Sequence, residues 1–506
     1  MMNNHIPEAC IVLFGATGDL AHRKLYPALF QLYQKQKLNE KFAVIGVGRK
    51  EFSHEKFQED VKLSISKEKN IQNDKVDEFI SHFYFLQMDV TNEKSYQDLK
   101  GLADELDSKY SLGGNRMYYL AMAPQFFGTI PSFLKSEGLT ETEGWQRLVI
   151  EKPFGHDLQS ATELNEQLQK SFPEESIYRI DHYLGKEMVQ NIQVIRFGNA
   201  IFESIWNNKY ISSVQITSSE TLGVEDRASY YEKSGAILDM LQNHMLQMAM
   251  MVAMEPPGGL DPKLIRDEKV KVLRALRFYN EDEVAKNVIR GQYKEGTMNG
   301  KTVPAYVDEE NVDPASKTDT FVAARVFIDN FRWAGVPFYL RTGKRMATKA
   351  TEIVVQFKNG PMALYHEHDD HYQPNLLRIH IQPDEGLSLS LNAKPQGDFP
   401  ALLPINMSYC NNCHNELNSP EAYEKLMHDC LLGNSTYFTR WDEVALSWEF
   451  IDGITNAWRN GNVPLYKYSS GTMGPLEAEE LLNEDGYTWW PPTNLRTDLR
   501  TDRDEK

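Results

Sequence analysis

A short apolar run near the start of the chain leads directly into a turn that contains two glycines. The run Cys10–Phe14 has the composition of a buried strand and is followed by GATGDLA, a turn of the G-x-x-G-x-x-A type. Its first glycine permits a tight turn, its second lets backbone N–H groups approach a pyrophosphate, and its alanine lets the next helix pack closely on the sheet. The N-terminus of that helix favours an anion. We therefore predict a dinucleotide site here, the alternative being an ordinary strand-to-helix turn. The residues predicted to contact the cofactor are Gly15, Thr17, Gly18, Asp19 and Leu20.

Apolar runs with strand character alternate with helical stretches over the first 180 residues. The runs are Cys10–Phe14, Phe42–Val47, His82–Met88, Arg116–Ala121, Arg147–Ile150 and Ser176–Ile180. This alternation predicts an α/β domain over residues 1–180 with a Rossmann-like, doubly wound parallel sheet. Beyond about residue 205, strand-like runs follow one another with few helices, which predicts a larger α+β domain over residues 181–490 with a mostly antiparallel sheet. The charged segment 491–506 is expected to be a mobile tail.

The net charge argues against a general affinity for two classes of partner. At −18, the chain would be repelled by nucleic acid and by anionic membranes, whereas a phosphorylated small molecule needs only a few basic groups in one cleft. No secretory signal and no apolar run of the roughly 18 residues that span a bilayer are found. We expect a soluble protein located in the cytoplasm.

The four cysteines do not form a disulfide framework for a chain of this length. Cys410, Cys413 and His414 match the short pattern of c-type haem attachment, which belongs to exported proteins. A zinc site that adds His428 and Cys430 is conceivable, but its spacing is unlike that of usual zinc sites. We interpret these cysteines as loop residues and expect no metal.

Basic residues follow the second predicted strand. An NAD site usually has an acidic residue there to bind the ribose 2′-hydroxyl, but this chain has Arg49 and Lys50. Because a guanidinium can donate two hydrogen bonds to a 2′-phosphate, Arg49 predicts that NADP is the cofactor. The alternative is that both residues are solvated surface charges.

Two further segments with chemically active side chains follow the last strands of the predicted parallel sheet. Lys152 comes directly after an apolar run, where ligands of open α/β sheets bind, although it could be a surface lysine before a proline turn. Asp181, His182, Tyr183 and Lys186 come after the next run. If this segment is extended, Asp181 and His182 point in opposite directions; if a helix starts here, Lys186 shares a face with His182. A core tyrosine beside a structural Asp–His pair is the alternative.

A histidine within an apolar helix is the remaining candidate for catalysis. The segment Gly235–Glu255 is predicted to be a helix that contains Asp239 and His244. These two residues are five positions apart, which is about 140° around an α-helix, so one ligand could contact both only if it lay between them or if the helix were distorted. A buried histidine of the core is the alternative.

Several sequence blocks together resemble the glucose-6-phosphate dehydrogenase family. They are GATGDLAHRKLYPALF, RLVIEKPFGHD, RIDHYLGKEMVQNI, GAILDMLQNHMLQ, YLRTGKR, LNAKPQG and PLYKYSSGTMGP, and they occur in the family's order over nearly the whole chain. The resemblance implies oxidation of glucose 6-phosphate at C1 to 6-phosphogluconolactone with transfer of a hydride to NADP, the first step of the pentose phosphate pathway. It also implies a homodimer or homotetramer assembled through the large sheet.

The resemblance also implies a role for each site residue. His244 would be the general base, and Asp181 the carboxylate that orients it. The phosphate would be held by His182, Tyr183 and Lys186. Other contacts to the sugar or phosphate would come from Lys152, Glu220, Asp239, Lys344 and Lys349. Lys24, Arg49 and Lys152 would lie on the cofactor side.

Two other functions are compatible with parts of the sequence. A different NADP-linked sugar dehydrogenase with the same two-domain plan would explain the glycine turn and the Glu-Lys-Pro sequence, but not the group His182, Tyr183 and Lys186. An inactive NADP-binding protein is disfavoured because Asp181 and His244 are both present.

Overall fold

The computed structural model describes residues 6–67, 71–360, 372–394, 396, 402–411, 421–461, 463–493 and 495. The chain divides into two compact units. The first contains the residues up to Gly185 together with Gly258–Arg266 and Pro420–Ala445. The second contains Lys186–Pro257, Asp267–Ser419 and the residues from Leu446 onward. The domain limits given above stay predictions, and most of the predicted tail lies outside the described residues.

A six-stranded parallel sheet forms the centre of the first unit. Its strands are β1 (Ala9–Phe14), β2 (Phe42–Gly48), β3 (Phe83–Gln87), β4 (Arg116–Leu120), β5 (Gln146–Ile150) and β6 (Ile177–Arg179). They are ordered β3-β2-β1-β4-β5-β6, and all neighbours pair in parallel. This is the strand order of a dinucleotide-binding Rossmann sheet, so the predicted fold class is confirmed for this unit.

The parallel sheet is buried on both faces. Ile11 and Leu13 of β1 belong to one apolar core, whereas Val12 and Phe14 belong to another on the opposite face. Such burial requires helices on both sides, which explains the nearly continuous apolar sequence of the strands. The helices of this unit are the π-helix Ala21–Leu25 and the α-helices Tyr26–Gln34, His54–Ile65, Asn73–Ile80, Ser95–Tyr110, Thr129–Ser136, Leu158–Gln169 and Ala422–Leu432.

A nine-stranded mixed sheet dominates the described part of the second unit. Its strands are β7 (Ile211–Ser219), β8 (Val288–Lys294), β11 (Phe321–Val326), β12 (Phe338–Gly343), β13 (Ala350–Phe357), β14 (Leu376–Gln382), β15 (Gly386–Ala393), β16 (Leu403–Cys410) and β17 (Leu465–Ser469). A small hairpin consists of β9 (Gly296–Met298) and β10 (Lys301–Val303). The order is β16-β15-β14-β13-β7-β12-β11-β8-β17, and only the pairs β7–β12 and β8–β17 are parallel. The predicted mostly antiparallel sheet is therefore confirmed.

The helices of the second unit include one that differs from the prediction. Gly235–Glu255 was expected to be one regular helix, but Ile237–Met245 is a π-helix that continues into the α-helix Leu246–Ala253. The other α-helices are Glu187–Phe197, Ala200–Glu203, Ala228–Ala236, Glu281–Asn287 and Glu477–Asn483, with Pro262–Arg274 and Trp441–Arg459 at the limits between units. Short 3₁₀ turns occupy Pro124–Phe126 and Glu174–Ser176 in the first unit and Glu225–Arg227 and Tyr306–Asp308 in the second.

The interpretation as loop residues is wrong for Cys410 and Cys430, since Cys410 is the last residue of β16 and Cys430 is buried in the helix Ala422–Leu432. Cys10 is buried in β1, in agreement with the predicted strand Cys10–Phe14. Burial raises the pKa of the Cys10 and Cys430 thiols to about 12, which makes both poor metal ligands. Cys413 and His414 lie outside the described residues.

In the described part of the chain, no helix combines the length and the apolar composition that crossing a bilayer requires.

Candidate active site

The glycine turn is built around one position that only glycine can occupy. Gly15 follows β1 with φ of +87°, and a Cβ atom there would lie 2.2 Å from the carbonyl oxygen of Ala121. The N–H groups of Gly15 and Ala16 donate to the carbonyl of Val47 at 3.1 Å, and the N–H of Gly18 donates to the carbonyl of Gly15 at 2.9 Å. The turn is therefore fixed against the ends of β2 and β4.

The helix after the turn holds it from the other side. The His22 ring contacts the carbonyl of Gly18 at 2.7 Å through Nδ1 and the Asp60 carboxylate at 2.7 Å through Nε2. The Tyr26 hydroxyl donates to the carbonyl of Ala16. These contacts keep a narrow concave backbone at the start of a helix, which is the shape that binds a pyrophosphate.

The remaining predicted cofactor residues surround this turn. Asp19 is exposed and forms a salt bridge with Arg23 at 3.2 Å, and Leu20 packs on the core. Lys24 is near the turn, with its Nζ 2.9 Å from a carboxylate oxygen of Glu421. Sequence reasoning missed Glu421, because it is distant in the chain.

Arg49 and Lys50 are solvent-exposed directly after β2. In the described part of the chain, neither side chain forms a salt bridge with a carboxylate. The backbone carbonyl of Arg49 accepts a hydrogen bond from the Gln87 side chain at 3.3 Å. Hydrogen bonds from Thr91 lower the pKa of Asp89, and the Arg49 charge helps to lower it. The nearby Asp89 carboxylate instead accepts hydrogen bonds from the N–H and hydroxyl of Thr91. Both basic groups are thus available to an anion from solution.

Lys152 stands at the carboxyl end of β5, beside a buried carboxyl. The preceding Glu151 accepts a hydrogen bond from the Tyr119 hydroxyl at 2.6 Å and another from Tyr423. Burial raises the pKa of Glu151, although these two hydrogen bonds and the charge of Lys152 oppose the shift. The peptide bond between Lys152 and Pro153 is cis, a point that the sequence left open. Tyr119 and Tyr423 were not anticipated.

The residues after β6 form a turn, and neither conformation considered from the sequence is found. Asp181 is buried, and its Oδ1 accepts the N–H of Tyr183 at 2.9 Å, while its carbonyl accepts the N–H of Leu184 at 3.0 Å. The His182 ring is parallel to the ring of Tyr423 at a centroid distance of 6.5 Å. Short polar side chains favour such turns because they satisfy nearby backbone N–H groups.

Lys186 and His182 do not share a helix face. The next helix starts at Glu187, with Lys186 as its N-cap residue in an extended conformation. The Lys186 ammonium group donates to the amide oxygen of Gln382 within the second unit. The helical spacing considered from the sequence therefore does not apply, because the turn that contains His182 ends before the helix begins.

The π-helix removes the difficulty with Asp239 and His244. A π-helix forms i→i+5 hydrogen bonds and is wider than an α-helix, so a spacing of five residues is only slightly more than one full turn. Both side chains are buried, and His244 is fully so. Asp239 accepts a hydrogen bond from the Tyr230 hydroxyl at 3.3 Å. The distortion that the sequence analysis required is therefore present in the chain itself.

Strand register brings three further predicted residues to one edge of the large sheet. Ser219 at the end of β7 pairs with Gly343 at the end of β12 and with Ala350 at the start of β13. Glu220, Lys344 and Lys349 are the residues adjacent to these three. The Lys344 Nζ donates to Glu220 at 2.5 Å and lies 4.9 Å from the centre of the Tyr231 ring, whereas Lys349 is exposed.

Two family profiles together cover almost the entire chain. The profile described as glucose-6-phosphate dehydrogenase, NAD binding domain, matches residues 12–191, and the one described as glucose-6-phosphate dehydrogenase, C-terminal domain, matches residues 193–490. The chain belongs to the glucose-6-phosphate dehydrogenase family. The family resemblance that the sequence blocks indicated is confirmed.

Individual members of the glucose-6-phosphate dehydrogenase family are similar along their full length. Glucose-6-phosphate 1-dehydrogenase of Bacillus subtilis is 59% identical over 490 residues, which cover 97% of this chain and 100% of that protein. The enzyme of Streptococcus pneumoniae is 45% identical, with coverage of 97% and 99%.

Solved structures of the family have the same fold. A glucose-6-phosphate dehydrogenase in complex with its substrate glucose 6-phosphate is 37% identical, with a TM-score of 0.89 and coverage of 97% of this chain and 100% of that one. The Mycobacterium avium enzyme is 30% identical, with a TM-score of 0.83 and the same coverage.

Proposed function

We propose that the protein oxidises glucose 6-phosphate at C1 to 6-phosphogluconolactone, the entry reaction of the pentose phosphate pathway, with NADP as the hydride acceptor. The observation that carries this proposal is the full-length identity of 59% to an enzyme named for this reaction. The residues to which the family resemblance assigns roles all occur in the chain. The polar residues that follow the strands, together with the π-helix that contains His244, support an active enzyme rather than an inactive relative.

His244 is assigned as the general base. NADP, when bound, accepts the hydride from C1, and the proton of the C1 hydroxyl must pass to a base at the same time. Imidazole is the side chain that most often serves as a general base, and the position of His244 on a buried helix restricts its orientation. Asp181 is assigned as the carboxylate that orients His244 and stabilises its protonated form.

The substrate phosphate and sugar are assigned to the remaining polar residues. His182, Tyr183 and Lys186 provide donors for the 6-phosphate. Further contacts to the sugar or the phosphate are assigned to Lys152, Glu220, Asp239, Lys344 and Lys349. The shared sheet edge of Glu220, Lys344 and Lys349 supports this, since one ligand can contact groups that the register places side by side.

NADP rather than NAD is assigned from the end of β2. The exposed Arg49 guanidinium can donate two parallel hydrogen bonds to a 2′-phosphate. Gly15 and Gly18 would contact the pyrophosphate, because a glycine turn at the start of a helix lets backbone N–H groups approach an anion. Lys24 and Lys152 add positive charge on the cofactor side.

Replacement of His244 tests the proposed base. His244→Asn should lower kcat by roughly 10²- to 10⁴-fold, the usual contribution of a general base. The measurement is the rate at which NADPH absorbance increases with glucose 6-phosphate as the substrate. His428→Asn, in the first unit, is the matched control and should keep wild-type turnover. Near-normal turnover of His244→Asn would show that His244 is not the general base. Glucose turned over as efficiently as glucose 6-phosphate would favour another sugar dehydrogenase.

Replacement of Arg49 tests cofactor choice. Arg49→Ala should raise the KM for NADP by about 10-fold or more, because a charge-assisted hydrogen bond is worth roughly 1.5–3 kcal/mol. The KM for NAD should stay within about 2-fold, since NAD has no 2′-phosphate. Lys56→Ala, which removes an exposed cation from the next helix, is the control. Equal effects on both cofactors would refute the assignment.

A homodimer or homotetramer is proposed to assemble through an apolar face of the large sheet. Alternate residues of the edge strand β16 are apolar and exposed, namely Leu403, Ile405, Met407 and Tyr409. On the neighbouring strand β15, Leu391 pairs with Ile405, Leu389 pairs with Met407 and Leu387 pairs with Tyr409. A continuous exposed apolar face of this kind typically marks an interface, and a two-fold axis lets the same face serve both chains.

Charges placed on this face should prevent assembly. Met407→Lys combined with Tyr409→Lys should shift the protein to the 58.2 kDa monomer in sedimentation velocity, because burial of two ammonium groups is strongly unfavourable. Leu63→Lys, at an isolated exposed leucine of the first unit, should leave the wild-type oligomer intact. An unchanged oligomer in the double variant would exclude this face.

A further inference from the structure

A buried carboxylate from a distant segment binds the start of the π-helix. Asp319 precedes β11, and its Oδ2 accepts the N–H of Ile237 at 2.9 Å. Its backbone carbonyl accepts the N–H of Ala236 at 2.8 Å. The first N–H groups of any helix lack partners within the helix, and the N-cap residue Ala236 provides no side-chain cap. Asp319 therefore supplies the cap that the helix sequence does not contain.

The backbone beside Asp319 is shaped to receive this carboxylate. Gly235 has φ of +57°, a conformation that glycine adopts at little cost. A Cβ atom at Gly235 would lie 2.5 Å from Oδ1 of Asp319. The close approach thus depends on a residue without a side chain, and the carboxylate and the glycine form one matched contact.

The next residue holds the backbone of Lys344. The carbonyl of Thr320 accepts the N–H of Lys344 at 2.9 Å, and the Thr320 hydroxyl accepts the N–H of Tyr293 at 2.9 Å. Tyr468 donates its hydroxyl to the carbonyl of Lys344 at 2.7 Å. Two consecutive residues, Asp319 and Thr320, consequently bind the helix that contains His244 and the strand end that contains Lys344.

We propose that Asp319 is a positioning residue for the reaction: it fixes the register of the π-helix, and with it Asp239 and His244, relative to Lys344. The inference rests on the proposed function of His244. A base displaced by about 1 Å can lose two orders of magnitude in rate, so a cap at the start of a short helix is sufficient to matter.

The environment of Asp319 strengthens this contact. Burial raises the pKa of Asp319 to about 6, while the N–H groups of Ile237, Asp319 and Ala236 and the charge of Arg290 act in the opposite direction. In its ionised form the carboxylate accepts charge-assisted hydrogen bonds from the helix N–H groups, which are stronger than neutral hydrogen bonds.

The test compares Asp319→Ala, Asp319→Asn and the control Asp313→Ala. Asp313 is exposed and caps only its own turn, through the N–H of Ala315 at 2.8 Å. Asp319→Ala should lower kcat by roughly 10- to 100-fold and leave the KM for NADP near the wild-type value. Asp319→Asn, which keeps an acceptor for Ile237, should recover most of kcat, and Asp313→Ala should match the wild type.

Two readouts separate positioning from simple loss of folded protein. With glucose 6-phosphate deuterated at C1, the primary isotope effect on kcat should rise in Asp319→Ala, because a misplaced base makes the chemical step slower. Hydrogen exchange of the peptide that contains Ile237 should become faster. Asp319→Ser, which keeps a polar group in the buried space, replaces the alanine variant if that variant does not fold.

Each contrary outcome has a distinct meaning. Wild-type kcat and isotope effect in Asp319→Ala, with His244→Asn inactive, would overturn the role of Asp319 and leave the proposed function intact. Reduced kcat with an unchanged isotope effect and unchanged exchange at Ile237 would also overturn it, since only the amount of folded enzyme would have changed. Wild-type activity of His244→Asn would instead contradict the proposed function, because His244 would then not be the general base.

Discussion

Parallel pairing of strands decides where the chemically active side chains of this chain lie. In the first sheet, the glycine turn follows β1, Arg49 follows β2, Lys152 follows β5 and Asp181 follows β6. Because all six strands run in the same direction, these positions lie at one edge of the sheet, where open α/β sheets bind ligands. In the second sheet, the parallel pair β7 and β12 ends in the same way at Glu220 and Lys344.

Local charge at these edges opposes the charge of the whole chain. The net charge of −18 repels anions at long range, yet Arg49, Lys344 and Lys349 are placed directly after or before strands. Screening by salt leaves such nearby groups effective over a few ångströms while distant carboxylates contribute little. An acidic protein can therefore bind a phosphorylated sugar and a phosphorylated cofactor.

Much of the fold could be predicted because its signals are local. The apolar runs of the parallel sheet are short and separated by helical stretches. The tight turn after β1 requires a residue without a side chain, and the sequence has Gly15 at that position. The π-helix could not be predicted, since periodicity analysis assumes about 100° per residue and so separated Asp239 from His244. The turn at Asp181 depends on its side chain accepting a hydrogen bond from the N–H of Tyr183. The pattern of apolar and polar residues gives no sign of this contact.

Contacts between distant segments were also beyond the sequence. Tyr423 reaches Glu151 from a helix more than 250 residues later in the chain, and Asp319 caps a helix that starts at Ile237. No spacing rule connects such pairs, because folding, not sequence proximity, brings them together. The family resemblance implied roles for Lys344 and Glu220, but only the register at Ser219 explains why these two residues are neighbours.

Direct transfer of hydrogen from the sugar to the nicotinamide is the most direct test of the proposed chemistry. Glucose 6-phosphate with deuterium at C1 would be incubated with the full-length protein and NADP, and the NADPH formed would be analysed by NMR spectroscopy and mass spectrometry. Hydride transfer predicts one deuterium at C4 of the NADPH ring and none released to water. Unlabelled NADPH, or deuterium released to the solvent, would contradict it.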